Sequence, residues 1–430
     1  MKESGTTLTR RGVLKAAAAT TLAATLGLPG AQASARGRGE ALRVGVVGCG
    51  GRGTGAAVNM LEASPDARIV ALGDVFADRL ASCRERLADQ PPERAGRVDI
   101  PDERCFTGFD AYRRVLGAGI DIAILATPPG FRPLHIEAAH GAGAHVFAEK
   151  PVAVDPAGVQ RVIEASRRAR ARGLHLVAGT QRRHEACYVE AMRRIHDGDI
   201  GRVTGAAVYW NQGGLWVKAR QPEWSDAECQ IRNWLYYAWL SGDHIVEQHV
   251  HNLDVAHWAL GEPPTRCLGM GGRQVRTGAE YGHAFDHFAV QYEYPDGRAV
   301  SSQCRQIDGC SGRVEEVVYG AHGHAVLASG RAEIFGRRPW RWEGEQENPY
   351  VSELKALVAA ITGRGPAIHE GERIAHSTMM AVMGRLSAYS GKTLTWEKAM
   401  ASTLDLMPPS LELGPMETPA VAVPGRTPPG

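Results

Sequence analysis

The sequence predicts an α/β protein in which a doubly wound parallel sheet precedes a second, α+β domain with an open, mostly antiparallel sheet. Near the N-terminus, an apolar β-branched run at 44–47 ends in a glycine-rich turn. From 41 to about 180, short apolar runs alternate with helical stretches, which is typical of a sheet covered on both faces. Beyond about 183, apolar and polar residues alternate within the runs, which predicts strands with one solvated face.

The first element is a strand that runs into the pattern G-x-G-x-x-G. A helix is predicted to follow over 54–63. In this arrangement, a glycine turn lets the pyrophosphate of a dinucleotide lie on the N-terminus of the helix. The turn therefore predicts a Rossmann domain and these cofactor-binding residues: Gly48, Gly50, Gly51, Arg52 and Gly53.

An acidic residue at the end of the second predicted strand, 68–72, indicates which dinucleotide binds. Asp74 follows the last glycine of the motif by about 20 residues, the spacing typical of an acid that accepts hydrogen bonds from both ribose hydroxyls. A carboxylate there repels a 2′-phosphate. We therefore predict NAD as the cofactor and NADP as less favoured, although the nearby Arg79 softens this preference.

The remaining elements complete two domains, 41–180 and 181–400. The first domain gains strands at 120–126, 145–148 and 174–178 and helices at 135–142 and 157–172. For the second domain the patterns predict strands at 206–210, 285–294, 298–305 and 313–320, and two helices, 349–362 and 372–390, that pack back on the first domain. The segment 402–430 is rich in Pro and Gly, which predicts a flexible tail.

The first 35 residues have the pattern of a twin-arginine export signal. Arg10 and Arg11 precede an uncharged apolar stretch over 16–28, and small residues at 31–35 offer cleavage sites. That apolar stretch is too short to span a bilayer. We therefore expect a periplasmic or extracellular protein with no stable membrane association.

Composition excludes several other classes of function. A formal net charge of +2 over 430 residues, with scattered arginines, argues against a nucleic-acid partner. The eight cysteines occur singly, without the spacing of a zinc site or a disulfide framework. We therefore predict a globular protein that acts on a small molecule.

Several motifs together resemble the glucose-fructose oxidoreductase, inositol dehydrogenase and rhizopine catabolism (Gfo/Idh/MocA) family over about 42–395. Besides the glycine turn and Asp74, these are Ala126-Thr127-Pro128-Pro129 followed by His135, the tripeptide Glu149-Lys150-Pro151 after a buried strand, and Gly198 to Val203. The resemblance implies that the lysine of the tripeptide lies between nicotinamide and substrate, next to a proline that is often cis. It adds these cofactor-binding residues: Thr127, Pro128, His135, Glu149 and Lys150. It also implies a homodimer or homotetramer joined through the open sheet.

A second family element is the predicted inner helix over 242–254. Glu247 and His251 are four residues apart and would share one helical face. There, a histidine can accept the proton of a substrate hydroxyl while the acid fixes its tautomer. A metal site built from His244, Glu247 and His251 is the alternative. The resemblance argues against it, and we expect no metal.

Aromatic residues indicate the substrate class. Six of the nine tryptophans lie between 210 and 258, and aromatic rings stack on the C–H faces of sugars. A sugar or polyol is therefore expected. The candidate substrate-binding residues are Gln181, Arg182, His184, Trp210, Asn211 and Trp234.

These observations favour hydride transfer from a carbinol carbon of a sugar or cyclitol to a nicotinamide, with Lys150 and His251 as catalytic residues supported by Glu247. An exported enzyme finds no free NAD pool, so its NAD is expected to stay bound. The alternative is an NAD-dependent glycosidase that oxidises the sugar transiently and eliminates the leaving group. Members of that branch usually carry Asn-Cys-Cys-Tyr where this chain has residues 181–184, which lowers this alternative. A sugar-sensing protein without catalysis is the third possibility.

Overall fold

The computed structural model describes residues 41–430, and the predicted export signal at 1–35 lies outside the described residues. Within the described range, no helix is both long enough and apolar enough to cross a membrane.

The first domain is built on a six-stranded parallel sheet in the order β3-β2-β1-β4-β5-β6. Its strands are β1 (Leu42–Val47), β2 (Ala67–Asp74), β3 (Cys105–Thr107), β4 (Ile122–Leu125), β5 (His145–Ala148) and β6 (Leu176–Ala178). Its helices are α1 (Gly51–Ala63), α2 (Ala77–Ala88), α3 (Pro92–Ala95), α4 (Ala111–Gly117), α5 (Arg132–Gly141) and α6 (Pro156–Ala171). The strand order reverses between β1 and β4, which opens a crevice at the carboxyl ends of these strands. The predicted Rossmann domain is thereby confirmed.

The second domain is built on a nine-stranded sheet in the order β14-β13-β12-β11-β7-β10-β9-β8-β15. Its strands are β7 (Val203–Gln212), β8 (Arg266–Gly272), β9 (His287–Glu293), β10 (Ala299–Gln306), β11 (Arg313–Gly320), β12 (Gly323–Ala328), β13 (Arg331–Gly336), β14 (Trp340–Arg341) and β15 (Leu394–Thr395). Only β7 and β10 pair in parallel within this sheet. The predicted mostly antiparallel sheet is confirmed.

Helices cover one face of the second sheet and join it to the first domain. They are α7 (Ala186–His196), α8 (Asp226–Arg232), α9 (Ala238–Ser241), α10 (His244–Glu247), α11 (Val250–Leu260), α12 (Pro349–Ile361), α13 (Gly371–Ser390) and α14 (Trp396–Ala401). As expected, α12 and α13 return to the first domain, where they pack against α1 and α6 respectively. The two domains therefore share a continuous apolar core.

The inner segment 242–254 is not the single helix that the sequence predicts. Asp243 has φ 67°, and its carboxylate accepts the amide of His244 at the start of the short helix α10. The amide of His249 donates to the carbonyl of His244, five residues back, which widens the turn between α10 and α11. The side chain of His249 points into the core and pairs with the hydroxyl of Ser302 at 2.8 Å. The buried contact of His249 with Ser302 therefore decides the local conformation, although the periodicity of the sequence favours one continuous helix.

The tail also differs from the expectation of a flexible segment. The amide of Leu406 donates to Asp155 at the start of α6, and Gly425 donates to the carbonyl of Ser390. Leu411 and Met416 pack against a core cluster. Its prolines and glycines exclude regular secondary structure, but they leave backbone groups and apolar side chains that dock on the fold.

Candidate functional site

A cavity of about 640 Å³ lies where the crevice of the first sheet faces the second domain. Both domains line it. The first domain contributes the glycine turn, Asp74, Thr127, Glu149 and Lys150, and the second contributes Gln181, Trp234, Glu247, His251 and Tyr350, among others. The cavity thus brings together most of the residues that the sequence singled out from widely separated stretches.

The glycine turn has the shape that a dinucleotide pyrophosphate needs. Gly48 has φ 94°, and a Cβ on it would lie 2.5 Å from the amide nitrogen of Thr127. A Cβ on Gly53 would lie 1.8 Å from the carbonyl of Gly48, so this glycine lets the helix approach the strand. Gly50 and Gly51 line the cavity, with open space where a Cβ would point. These residues fit the cofactor, although Gly53 supports the turn from behind instead of lining the cavity.

Asp74 ends β2 at the edge of the same cavity. Its carboxylate accepts the amides of Cys49 at 2.6 Å and of Phe76 at 3.0 Å. Burial raises the pKa of this carboxyl, and the two amides oppose that shift. Each carboxylate oxygen keeps a further lone pair for a ribose hydroxyl. Arg79 lines the cavity nearby.

Lys150 reaches from the first domain to the second. The peptide bond between Lys150 and Pro151 is cis. The ammonium donates to the carbonyl of Glu247 at 2.7 Å and lies 3.2 Å from its carboxylate. Among the described residues, no hydrogen bond joins Glu247 to His251. Glu247 therefore orients Lys150, which corrects the expected role of this acid as the partner of the histidine.

Glu149 and Arg52 form an ion pair across the crevice. The guanidinium of Arg52 binds the carboxylate of Glu149, with Nε at 2.9 Å, and lies 4.6 Å from the ring centre of Tyr350 on α12. All three residues line the cavity. The pair links the glycine turn to the loop that follows β5 and carries Lys150, so these two parts of the cavity wall share one support.

Arg132 is a site residue that the sequence did not predict. It is buried at 1 % exposure, and it donates to the carbonyls of Glu149 at 2.5 Å, of Pro151 at 2.8 Å and of Thr127. Burial lowers its pKa to about 10, which still leaves it charged at neutral pH. One guanidinium thus fixes the two loops that carry Thr127 and Lys150. No motif signals this role, because the partners are backbone groups.

Thr127 and His135 form a pair beside these loops. The hydroxyl of Thr127 lies 3.1 Å from Nδ1 of His135, whose ring centre lies 4.5 Å from that of Tyr112 in a tilted arrangement. Burial, reinforced by the charge of Arg132, lowers the pKa of His135 to about 3. This histidine is therefore neutral and serves as a hydrogen-bonding wall of the cavity.

His251 faces the cavity from the second domain. Its ring stacks on Trp210 at 5.7 Å, and its Nδ1 has no hydrogen-bond partner. Burial, with the charges of Lys150 and Arg182, lowers the pKa of His251 well below the usual value. A neutral imidazole that lines the cavity can accept a proton from a bound hydroxyl.

Two of the six predicted substrate-binding residues, Gln181 and Trp234, line the cavity. Gln181 also has a buried carbonyl oxygen, Oε1, without a hydrogen-bond partner, which a substrate hydroxyl can satisfy.

The other four lie behind the wall of the cavity or away from it, which corrects the prediction. Trp210 packs behind His251, and Arg182 lies 5.4 Å from that indole in a buried ion pair with Glu316. Nε2 of His184 lies 3.6 Å from a carboxylate oxygen of Glu370. Asn211 points to the opposite face of β7 from Trp210, since side chains alternate along a strand.

A segment of the second domain covers the end of the cavity near Asp74. Trp216, Lys218 and Arg232 line the cavity, although none of them is among the six candidate substrate-binding residues. The guanidinium of Arg232 lies 3.9 Å from the ring centre of Phe76 and pairs with Asp78 at 3.0 Å. Trp216 belongs to the group of tryptophans that the sequence concentrates between 210 and 258.

The metal alternative finds no geometric support. His244 pairs with Asp243 at 3.2 Å and packs edge-on against Phe288, away from the cavity. Within residues 41–430, no three His, Cys, Asp or Glu side chains are grouped so as to hold a metal ion.

Two family models match the chain. Residues 42–176 match the oxidoreductase family with an NAD-binding Rossmann fold, GFO/IDH/MocA, and residues 188–326 match the C-terminal domain of the same family. Both matched ranges contribute residues that line the cavity.

Similar proteins of known activity include two inositol dehydrogenases. The chain is 24 % identical to myo-inositol 2-dehydrogenase of Thermotoga maritima, over 77 % of this chain and 91 % of the relative. It is 25 % identical to the NAD⁺-dependent scyllo-inositol 2-dehydrogenase of Bacillus subtilis, over 73 % of this chain and 77 % of the relative. Among solved structures, the fold resembles aldose-aldose oxidoreductase of Caulobacter crescentus in complex with glycerol. That likeness has a TM-score of 0.65 at 20 % identity and covers 83 % of this chain and all of the other.

Proposed function

The chain belongs to the GFO/IDH/MocA family of NAD-binding oxidoreductases, and on that premise we propose that it oxidises a carbinol carbon of a sugar or cyclitol. Its relatives that act on inositols and its structural likeness to an aldose oxidoreductase support this substrate class. NAD bound in the cavity supplies the hydride acceptor.

The observation that carries the proposal is the convergence of two polar groups at one cavity wall. The ammonium of Lys150 is held by Glu247, and the imidazole of His251, whose pKa burial lowers, lines the same cavity. The two residues lie in different domains and both line the cavity that contains the glycine turn. A hydroxyl bound there meets a hydrogen-bond donor and a proton acceptor together.

His251 is the proposed proton acceptor. Because burial and the neighbouring cations depress its pKa, the imidazole is neutral when the substrate binds. Trp210 fixes the plane of the ring by stacking on it. The protonated ring is disfavoured in this environment, so the proton must be passed on quickly or compensated by Asp254, whose negative charge favours the imidazolium.

Lys150 is the proposed electrostatic stabiliser. An ammonium that donates to the substrate oxygen lowers the energy of the developing alkoxide. Two bonds to Glu247 leave one N–H direction of the three for this purpose. Arg132 fixes the loop that carries Lys150, so the donor is positioned before the substrate arrives.

We also propose that NAD is retained through turnover and that the protein is exported. The twin-arginine pattern at the N-terminus supports export. Outside the cytoplasm, oxidation of one substrate must then be balanced by reduction of a second carbonyl compound on the same nucleotide.

A substrate panel tests the reaction. We would supply NAD with sugars, cyclitols and nitrophenyl glycosides and follow the absorbance of reduced nicotinamide. For each active compound, deuterium at the oxidised carbon should slow reduction and appear in the nicotinamide. Release of nitrophenol without lasting reduction would instead identify the glycosidase. No reduction by any compound would contradict the proposal.

A homo-oligomer joined through the open sheet remains part of the proposal. The uncovered face of that sheet carries exposed apolar side chains, including Leu268, Met270, Tyr319 and Phe335. Such a patch favours association. Light scattering should report a dimer or tetramer that Met270→Glu weakens, and a monomer in the unaltered protein would contradict this expectation.

A further inference from the structure

We propose that residues 213–237, here called the strap, bind the adenosine half of NAD and that the C-terminal tail fastens the strap, so that NAD cannot leave between turnovers. This inference rests on the proposed function, since it explains how a retained cofactor is held. It assigns cofactor contact to the second domain, at residues that belong to neither the glycine turn nor the catalytic pair.

The strap covers the adenosine end of the cavity. A nucleotide whose pyrophosphate lies on the glycine turn places its adenosine ribose at the acid that ends β2, which is Asp74 here. Phe76 follows two residues later and lines the cavity. From the strap, Arg232 lies over the ring of Phe76, so this end has walls from both domains. Trp216 and Lys218 of the strap line the same cavity.

The inner side of the strap is bound to the first domain through Arg232. Its guanidinium forms two hydrogen bonds to Asp78, at 3.0 and 3.1 Å, while it lies over the ring of Phe76. A third bond, from Nε to Glu228 at 2.8 Å, fixes the side chain on its own helix α8. The side chain of Arg232 is 13 % exposed and that of Asp78 is 59 % exposed, so this bidentate pair lies at the rim of the contact between strap and first domain.

The outer side of the strap is bound to the tail. Gln230 donates to the carbonyls of Met416 at 3.3 Å and Glu417 at 3.2 Å, and its own carbonyl accepts the indole N–H of Trp239 at 2.8 Å. The amide of Ala227 donates to the carbonyl of Gly414 at 3.1 Å. The tail thus runs along α8 on the side away from the cavity.

The tail is in turn anchored on the first domain. Leu406 donates to Asp155 at 2.8 Å, and Gln160 donates to the carbonyls of Met400 and Ser402. Between these anchors and α8, Leu411 and Met416 pack on the core cluster that contains Phe76, Ile231 and Trp239. Lifting the strap therefore exposes apolar surface of both domains and of the tail, which slows opening.

Retention of bound nucleotide tests the inference without any substrate. The full-length protein is loaded with NAD, separated from free nucleotide, and chased with excess unlabelled NAD, and the bound fraction is followed over time. Two variants weaken the attachment of the strap. Leu411→Asp detaches the tail from the core cluster, and Arg232→Gln removes the ion pair with Asp78. Matched controls are Leu413→Asp, two residues along the tail at an exposed position, and Arg84→Gln, which breaks a surface ion pair with Asp102 outside the strap.

We expect Leu411→Asp and Arg232→Gln to release NAD about tenfold faster or more, and the controls to stay within about twofold, because changes within one binding site act mainly on dissociation. Circular dichroism confirms that each variant is folded. Unchanged release from folded Leu411→Asp and Arg232→Gln overturns the inference, as does rapid release from the unaltered protein. An inactive substrate panel with normal retention would instead contradict the proposed reaction alone.

Discussion

The two halves of the cavity are built in different ways. In the first domain, the glycine turn, Asp74 and the tripeptide ending in Pro151 each follow a buried strand, so their positions come directly from a regular parallel sheet. In the second domain, the cavity wall combines a short helix, a turn, the strap and α12, which come together only through tertiary contacts.

This difference separates the tasks of the two halves. Backbone groups and a fixed acid suit a cofactor that is the same in every turnover. Apart from the strap, side chains on irregular segments of the second domain suit a substrate, because a few substitutions can change the shape of the wall without disturbing the sheet. Lys150 is the point at which the halves meet, since it belongs to the first and is bonded to Glu247 of the second.

Substitution of Lys150 should have the largest effect on activity. We expect Lys150→Ala to lower kcat by about 1000-fold, because the developing alkoxide loses its charged donor. Bound NAD should remain at the level of the unaltered protein, since the glycine turn and Asp74 are intact. Lys355→Ala, at an exposed lysine on α12, is the control and should keep full activity. A normal rate in Lys150→Ala would remove the lysine from the mechanism.

His251→Asn alters only the half of the cavity wall that the second domain contributes. Loss of a proton acceptor should lower kcat by about 100-fold to 1000-fold, with little change in NAD binding. His196→Asn alters a histidine on α7 outside the cavity and serves as the comparison. If His251→Asn changes KM but not kcat in steady-state assays, the histidine binds substrate without accepting its proton.

Arg132→Met tests the scaffold of the first half. The substitution leaves three buried carbonyl groups without their donor, so the free energy of unfolding should fall by about 3 kcal/mol. Arg161→Met, which breaks a surface pair with Glu137, should change it by less than about 0.5 kcal/mol. Urea denaturation measures both, and equal losses in the two variants would contradict the role of Arg132.

Asp74→Ser tests whether the carboxylate of Asp74 selects NAD over NADP. Loss of the carboxylate removes the acceptor for ribose hydroxyls and the repulsion of a 2′-phosphate, so the ratio of NAD to NADP affinity should fall about tenfold or more. Glu62→Ser alters an acid at the surface of α1 and should leave the ratio unchanged. Fluorescence titration with both nucleotides gives the ratio, and an unchanged value in Asp74→Ser would assign selectivity elsewhere.

The pH profile should show the smallest effect. Because the pKa of His251 is lowered, its neutral form persists well below pH 6.5, and this group should not cause activity to fall between pH 7.5 and 6.5. A loss of kcat/KM centred at or above pH 6.5 that disappears in His251→Asn would show that the imidazole is not depressed in the working enzyme.

The sequence alone predicted the part of the site that is local in the chain. Short patterns beside buried strands mark three of its parts, which are the turn from 48 to 53, Asp74 and Lys150. The positions of these residues in the fold depend little on distant residues. Arg132 was missed because it binds backbone carbonyls, which leave no trace in a pattern. Asn211 was predicted to bind substrate together with Trp210, but adjacent residues of a strand point apart, and only Trp210 lies on the face that packs on His251.

The parts that failed depend on contacts across the fold. The helix over 242–254 breaks because His249 binds Ser302 on a strand 53 residues away. The tail docks because Asp155 and Gln230 provide partners for its backbone. Neither effect follows from composition or periodicity, since the partners are distant in the sequence.

The absorbance spectrum of the purified protein, with no nucleotide added, tests the central claim most directly. We expect the protein to contain NAD as isolated and the band of reduced nicotinamide to appear when an oxidisable sugar or cyclitol is mixed in. Absence of nucleotide, together with no change on mixing even after NAD is supplied, would contradict the account.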